Sequence, residues 1–344
     1  MRRRAGRRRV VALTLGVALG GVGLFRLLGL PLPWLLGPMF ACLAAALAGL
    51  ELRGLPRIGG AMRTVLGLAV GASITPAVVA RLDEMAASLA LIPPFVALSG
   101  LIGYPWFRRR WGFDRATSFY AAMPGGLQDM LVFGIEAGAD PRALSLIHAT
   151  RVLVVVTILP VLMTWVFALP LDSPPGAPAA ELPALELIAM VVIAAWGWAA
   201  AAGLGLFGAA ILGPMILAAA ASLSGIIHAR PPAEAILAAQ FFIGLGVGVD
   251  YVGVTAADLR RSVAAALGFV AFLGAASAAF ALAVHAAGLA PLADAALAFA
   301  PGGQGEMAVL AIVAGADLAY VVTHHLARLV VVIVGAPLAG RRAL

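Results

Sequence analysis

The chain has 344 residues, of which 63% are hydrophobic and 11% charged, and its mean hydropathy is +1.04. A soluble domain carries roughly 25% charged residues, so this composition excludes a water-soluble globular fold and defines an all-α polytopic membrane protein. The formal charge of +7 rests on arginine alone, concentrated in MRRRAGRRR at the amino terminus and in RRR at 108–110; in so apolar a chain these runs flank spans and mark the cytoplasmic side, and they do not indicate nucleic-acid binding.

The apolar runs fall in order at about 10–28, 33–50, 60–80, 85–107, 116–138 and 143–168. The first follows a basic stretch but meets no small-residue cleavage site, so it is expected to be an uncleaved span. A linker rich in proline and acid, LPLDSPPGAPAAELP, covers 169–183. Six more runs follow at about 184–202, 206–224, 233–254, 262–288, 291–315 and 318–338. The lone cysteine, Cys42, sits inside an apolar run, so the sequence offers no disulfide framework and no metal site.

The two sets of six correspond residue by residue. LLGPM at 35–39 returns as ILGPM at 211–215, an offset of 176. GLAVGAS at 67–73 returns as GLGVGVD at 244–250, an offset of 177, which then links Pro124 to Pro301, Asp129 to Glu306, Met130 to Met307, His148 to His325 and Arg151 to Arg328. Residues 1–168 therefore read as one membrane repeat and 184–344 as a second, the arrangement of many transporters.

Charge orients the halves. With the amino terminus cytoplasmic, Arg53, Arg57 and Arg63 come out inside after two crossings, and Arg108–Arg110 with Arg115 after four. The linker carries Asp172 and Glu181 and no arginine, so it reads as external, which leaves five crossings in the first half. The interrupted run holding Pro124, Gly125 and Gly126 is then the segment that does not cross, as a re-entrant hairpin or a broken helix buried in protein. An odd number of crossings inverts the second repeat, which puts Arg260, Arg261, Arg341 and Arg342 inside and Arg230 outside. A parallel arrangement would place Arg260 and Arg261 outside.

The candidate chemistry lies at the breaks. Pro124 and Pro301 remove a donor and disrupt a helix, while Gly125, Gly126, Gly302 and Gly303 permit close approach. A half-helix beginning after each break turns its free N–H groups inward, and Asp129 and Glu306 fall in its first turn. Each acid either caps its own helix or marks an ion path. In HATR (148–151) and HLAR (325–328) the i, i+3 spacing puts His148 with Arg151, and His325 with Arg328, on one helical face. An arginine within a span must pair or face water. Repeat order suggests Asp129 for Arg151 and Glu306 for Arg328, as structural ion pairs or as a coupled site holding an anionic substrate. His148 and His325 are candidate proton relays. Asp140 and Asp317 are expected to cap the helices that follow them. No nucleotide, metal or nucleophile motif accompanies these residues.

With PWLLGPM (33–39), MPGGLQDM (123–130), LGPM (212–215), PGGQGEM (301–307) and HHLARL (324–329), the chain resembles the AbrB-type duplicated membrane protein family, labelled both as ammonia monooxygenase and as AbrB-family regulator. The resemblance covers nearly the whole chain. Its labels imply a role in ammonia oxidation or in gene regulation, but the residues offer no copper or iron ligand set and no nucleic-acid-binding module.

The expectation is a secondary transporter in a bacterial inner membrane. It would carry a small organic anion or an ammonium-like ion, coupled to protons or another ion, by alternating access between the repeats. The alternative is a membrane-bound regulator acting indirectly through sensing or a partner. No cofactor and no enzymatic activity are expected. The partners are the lipid bilayer and the solute, with a homo-oligomer left open.

Overall fold

The computed structural model describes residues 2–169, 171, 175–206 and 208–343, with the side chains of 2–7, 77, 82, 128, 129, 132, 333 and 336–343 outside the description. Among the described residues the chain is all helical, with no strand. The helices are α1 (Arg2–Leu27), α2 (Pro33–Leu47), α3 (Pro56–Ser73), α4 (Pro76–Val79), α5 (Leu82–Leu89), α6 (Ile92–Pro105), α7 (Arg115–Ala122), α8 (Leu127–Glu136) and α9 (Pro141–Trp165). After the linker come α10 (Ala184–Gly203), α11 (Ala209–Leu223), α12 (Ala233–Val249), α13 (Ala256–Asp258), α14 (Ala264–Ala286), α15 (Leu292–Phe299), α16 (Gln304–Val313) and α17 (Leu318–Ala343). Five stretches are long and apolar enough to cross a membrane, namely Arg8–Leu27, Asp83–Arg110, Pro141–Trp165, Ala184–Gly203 and Ala256–Ala286. This is a membrane protein.

Proline placement explains several boundaries. Pro33, Pro56, Pro76 and Pro141 open their helices, where the missing N–H costs nothing. The apolar runs at 116–138 and 291–315 do not form single helices. Each splits at its Pro-Gly-Gly into two short pieces, α7 and α8 in one case and α15 and α16 in the other.

The chain forms two compact units, each drawn from both halves of the sequence. The first comprises Met1–Ala80, Ala168–Val254 and Ala308–Ala319; the second comprises Arg81–Phe167, Thr255–Met307 and Tyr320–Leu344.

In the first unit α3 lies along α11 and α12 lies along α2, while α1 packs on α2 and α10 on α11. Glycines set these contacts. A Cβ on Gly67 would run into the Ile211 carbonyl, and one on Gly71 into the Met215 carbonyl. A Cβ on Gly244 would run into the Leu35 carbonyl, and one on Gly248 would meet the Met39 carbonyl. Gly21 meets Gly37 backbone to backbone, and Gly197 meets Gly213 in the same way. Association in lipid depends on such close backbone approach, since lipid tails give no hydrophobic drive between helices. Each contact pairs with another between the corresponding residues of the two halves, which stand 176 or 177 positions apart.

The second unit contains α5 to α9, α14, α15, the first turn of α16, and α17 from Tyr320 onward. Its core is aromatic. Phe95 packs edge-on to Phe280 and Phe299, and Phe107 packs edge-on to Phe113 and Phe269. One end of this unit is tied together by polar contacts. Asp114 caps α7 by accepting from Thr117 N and Thr117 Oγ1. Thr117 Oγ1 in turn accepts from Asp140 N at 2.8 Å, so the chain leaves α8 beside the point where it entered α7. Asp140 caps α9 by accepting from Arg142 N and Ala143 N, as the sequence predicts. At the same end Arg142 Nη2 stands 2.9 Å from Asp258 Oδ2. Arg261 donates to the carbonyls of Trp111 and Gly112, with its guanidinium 4.5 Å above the Phe113 ring.

Candidate functional site

The two breaks lie in the second unit and are built alike. Arg151 lies about three turns into α9 and is only 2% exposed. Its Nη1 donates to Met123 O at 3.1 Å and its Nη2 to Gly125 O at 2.5 Å. Arg328 on α17, 5% exposed, repeats the arrangement, with Nη1 donating to Ala300 O at 2.6 Å and Nη2 to Gly302 O at 2.8 Å. A Pro-Gly-Gly interruption frees carbonyls that a continuous helix would have satisfied. At membrane depth they need an internal donor, and a forked guanidinium serves two at once.

The histidines act on the same segments. His148 Nε2 lies 3.2 Å from Tyr120 O, and His325 Nε2 lies 2.9 Å from Leu297 O. A carbonyl only accepts, so Nε2 carries the hydrogen in both rings. Both Nδ1 atoms are buried with no hydrogen-bond partner. The methionines of the two motifs fold back over the breaks: a Cβ on Gly125 would strike Met130, and a Cβ on Gly302 would strike Met307. Met130 and Met307 are both fully buried. The glycines leave room for the methionines to seal each turn.

Glu306 folds back over the second break, where a Cβ on Gly303 would collide with its carboxylate. Repeat order suggests Arg328 as its partner; Arg151 of the first half also interacts electrostatically with Glu306. Arg328 in turn feels the charge of Arg151. Asp129, the first-half acid, has a side chain outside the described residues.

Two functional candidates escape a reading based on matched positions. Gln304 opens α16 where the first break has Leu127, and its Nε2 is buried with no hydrogen-bond partner. His324, fully buried, stands where the first half has Ile147; its Nδ1 donates to Tyr320 O at 2.8 Å, and its Nε2 lies 2.9 Å from Ser88 Oγ. The readable signal in both cases is a mismatch inside motifs that otherwise agree.

Paired broken helices with buried guanidiniums at their ends mark an all-helical membrane protein. A family model described as Transition state regulatory protein AbrB matches residues 34–343, and the chain belongs to that family. It is 28% identical over 350 residues to a protein named Uncharacterized protein YhjN from Bacillus subtilis (strain 168), over 93% of this chain and 89% of that one.

Proposed function

We propose that this chain is a secondary transporter of a small solute, coupled to protons or another ion, working by alternating access about the site where the two breaks meet. The observation that carries the reading is a buried guanidinium at each of two broken helices, Arg151 on the carbonyls of Met123 and Gly125 and Arg328 on those of Ala300 and Gly302. Intramembrane ionisable groups are costly and concentrate on substrate and ion paths. Discontinuous helices with their ends at the site are the recurring solute-binding device of transporters built from repeats. The protein is proposed to sit in the bacterial inner membrane without enzymatic activity.

The reading includes two inverted repeats, 1–168 and 184–344, joined by an external linker. Each repeat has five spans and a re-entrant Pro-Gly-Gly hairpin. The bond from Asp140 N to Thr117 Oγ1 supports re-entry, because it joins the exit of the first hairpin to its start. The Arg142–Asp258 pair and the bonds from Arg261 to the 111–112 backbone support inversion. They bring the loop after α12 to the same end as the loop after α6, as an odd number of crossings requires. With Cys42 buried, Arg109→Cys and Ala257→Cys are expected to react with an impermeant maleimide only from the cytoplasmic side, and Ala180→Cys only from outside. Labelling of positions 109 and 257 from opposite sides would overturn the inverted arrangement.

The transport reading is tested with purified protein in liposomes loaded with a pH-reporting dye and given acetate, propionate, succinate or methylammonium gradients. At least one solute is expected to drive a proton flux. Glu306→Gln is expected to abolish that flux while the variant stays monodisperse and keeps its melting temperature. Undiminished flux in the variant, or no flux with any of the four, overturns the proposal.

A further inference from the structure

Two π-helical turns meet at one end of the second unit. Trp106–Arg110 closes the helix that begins as α6, and Leu259–Val263 opens the one that continues as α14. Such wide turns are rare and recur at functional sites. Printed side by side in space by four bonds, they form one surface. Trp106 Nε1 donates to Ala265 O at 3.0 Å, and Arg261 donates through Nε to Trp111 O at 3.2 Å and through Nη2 to Gly112 O at 2.7 Å. Arg108 Nη1 donates to Phe113 O at 2.8 Å. Arg108 and Arg261 are thereby committed to the protein's own backbone. Arg109 and Arg260 are exposed and have no hydrogen bond, ion pair or ring contact among the described residues. Arg110, also exposed, only lies over the Trp111 ring, 5.5 Å from its centre. Arg260 and Arg110 are the chain neighbours of two residues in direct contact, Arg261 and Trp111. The segments gathered at this end, 106–115, 136–142 and 256–263, hold seven arginines and four acids. Three of the acids are already engaged: Asp114 by Thr117, Asp140 by the start of α9, and Asp258 by Thr255 and Arg142. Positive charge is in excess here, on guanidiniums that the fold leaves unused.

Span length sets the depth of this surface. The apolar stretch Asp83–Arg110 has 28 residues, which is about 42 Å of helix at 1.5 Å per residue. The hydrocarbon layer is about 30 Å thick and the bilayer with its headgroups about 40–45 Å, so a stretch this long carries its terminal arginines to headgroup level. Trp106 and Trp111, whose ring centres are 6.3 Å apart, are of the residue type that settles at that level. We propose that the junction binds the headgroup of an anionic phospholipid on the surface carried by Arg109, Arg110 and Arg260. Guanidiniums meet phosphate oxygens with paired N–H groups, and basic residues between helix ends at the membrane surface are a recurring headgroup site. A zwitterionic lipid brings its own ammonium to the same guanidiniums and cancels part of the attraction. A bound headgroup braces the contact between the end of α6 and the start of α14, beside the bonds from Trp106 and Arg261. The site lies at the membrane surface and is independent of the transport reading.

The test is thermal unfolding of the detergent-purified full chain titrated with phosphatidylglycerol or with phosphatidylcholine of the same acyl chains, and separately with inorganic phosphate and a single-stranded oligonucleotide as soluble anions. Phosphatidylglycerol is expected to raise the melting temperature in a saturable way, with an effect that weakens as salt is added, while phosphatidylcholine and the soluble anions leave it in place. The combined Arg109→Gln, Arg110→Gln and Arg260→Gln variant is expected to keep the melting temperature of the lipid-free protein and to raise the half-saturating phosphatidylglycerol concentration at least tenfold. Taking three charges from the amino-terminal run instead, by Arg2→Gln, Arg3→Gln and Arg4→Gln, is expected to leave the titration unchanged. The inference is overturned if phosphatidylcholine or either soluble anion stabilises as strongly, if the 109/110/260 variant responds as the wild type does, or if the amino-terminal variant loses as much. Native mass spectrometry of the single Arg109→Gln and Arg260→Gln variants gives a second readout that does not depend on the triple variant folding. Each is expected to retain less phosphatidylglycerol than the wild type, and equal retention in both overturns the site.

Discussion

Arg151→Leu is expected to produce the largest loss of stability of any single substitution at the breaks, ahead of Arg328→Leu. Each guanidinium holds two carbonyls that have no water to turn to. Hydrogen bonds to a charged group contribute about 1.5–3 kcal/mol each, so losing two costs about 3–6 kcal/mol. The two arginines then diverge. Removing Arg151 also takes a cationic neighbour from Glu306, whereas removing Arg328 relieves its repulsion with Arg151. Thermal unfolding of the detergent-purified variants, read by size-exclusion survival after heating, checks the order. Arg151→Lys is expected to recover less than half of the loss, because an ammonium is a point charge without the planar fork that spans two carbonyls. Equal melting of wild type and Arg151→Leu would mean that the guanidinium is not what holds the break.

The second large effect concerns the first unit and turns on two glycines of one helix. Gly244→Ala is expected to destabilise, and Gly246→Ala to be neutral or stabilising. The Gly244 Cβ would enter the Leu35 carbonyl, which is backbone and cannot swing away, while a Cβ on Gly246 meets nothing within 4 Å. Overpacking costs about 1–3 kcal/mol and more where backbone must separate, whereas alanine at an open helical position is better than glycine by up to about 1 kcal/mol. Gly67→Ala, against the Ile211 carbonyl, is expected to behave as Gly244→Ala does. The check is the difference in melting temperature between the 244 and 246 variants. A Gly244→Ala variant as stable as Gly246→Ala would mean that α2 and α12 do not rely on backbone approach.

Local rules explain what was legible in advance. Helix breaking at Pro124 and Pro301 follows from a missing donor on the residue itself. Asp140 at the start of α9 follows from the reach of a short carboxylate to N–H groups two and three residues on. The span-length apolar runs follow from composition over twenty residues, and the offset linking the two breaks can be read by alignment alone. Family membership was carried by the same motifs.

Partner choice was not legible, because it is made across long separations. Repeat order places Glu306 beside Arg328, since the two stand on consecutive segments; it gives no sign that the charge of Glu306 also reaches Arg151 of the other half. The sequence also reads as two successive halves, while the compact units interleave them: α3 finds its glycine-sized groove on α11, and α2 finds its own on α12. Arginines expected to meet acids or substrate spend their terminal nitrogens on carbonyls, because a broken helix inside a membrane must first satisfy its own backbone. The sequence by itself determined a helical membrane protein of this family with two matched breaks and the residue types placed at them. Only the tertiary structure decided which of those residues hold backbone and which donors are left over, because a hydrogen bond goes to whichever acceptor the packing brings near, at any distance along the chain.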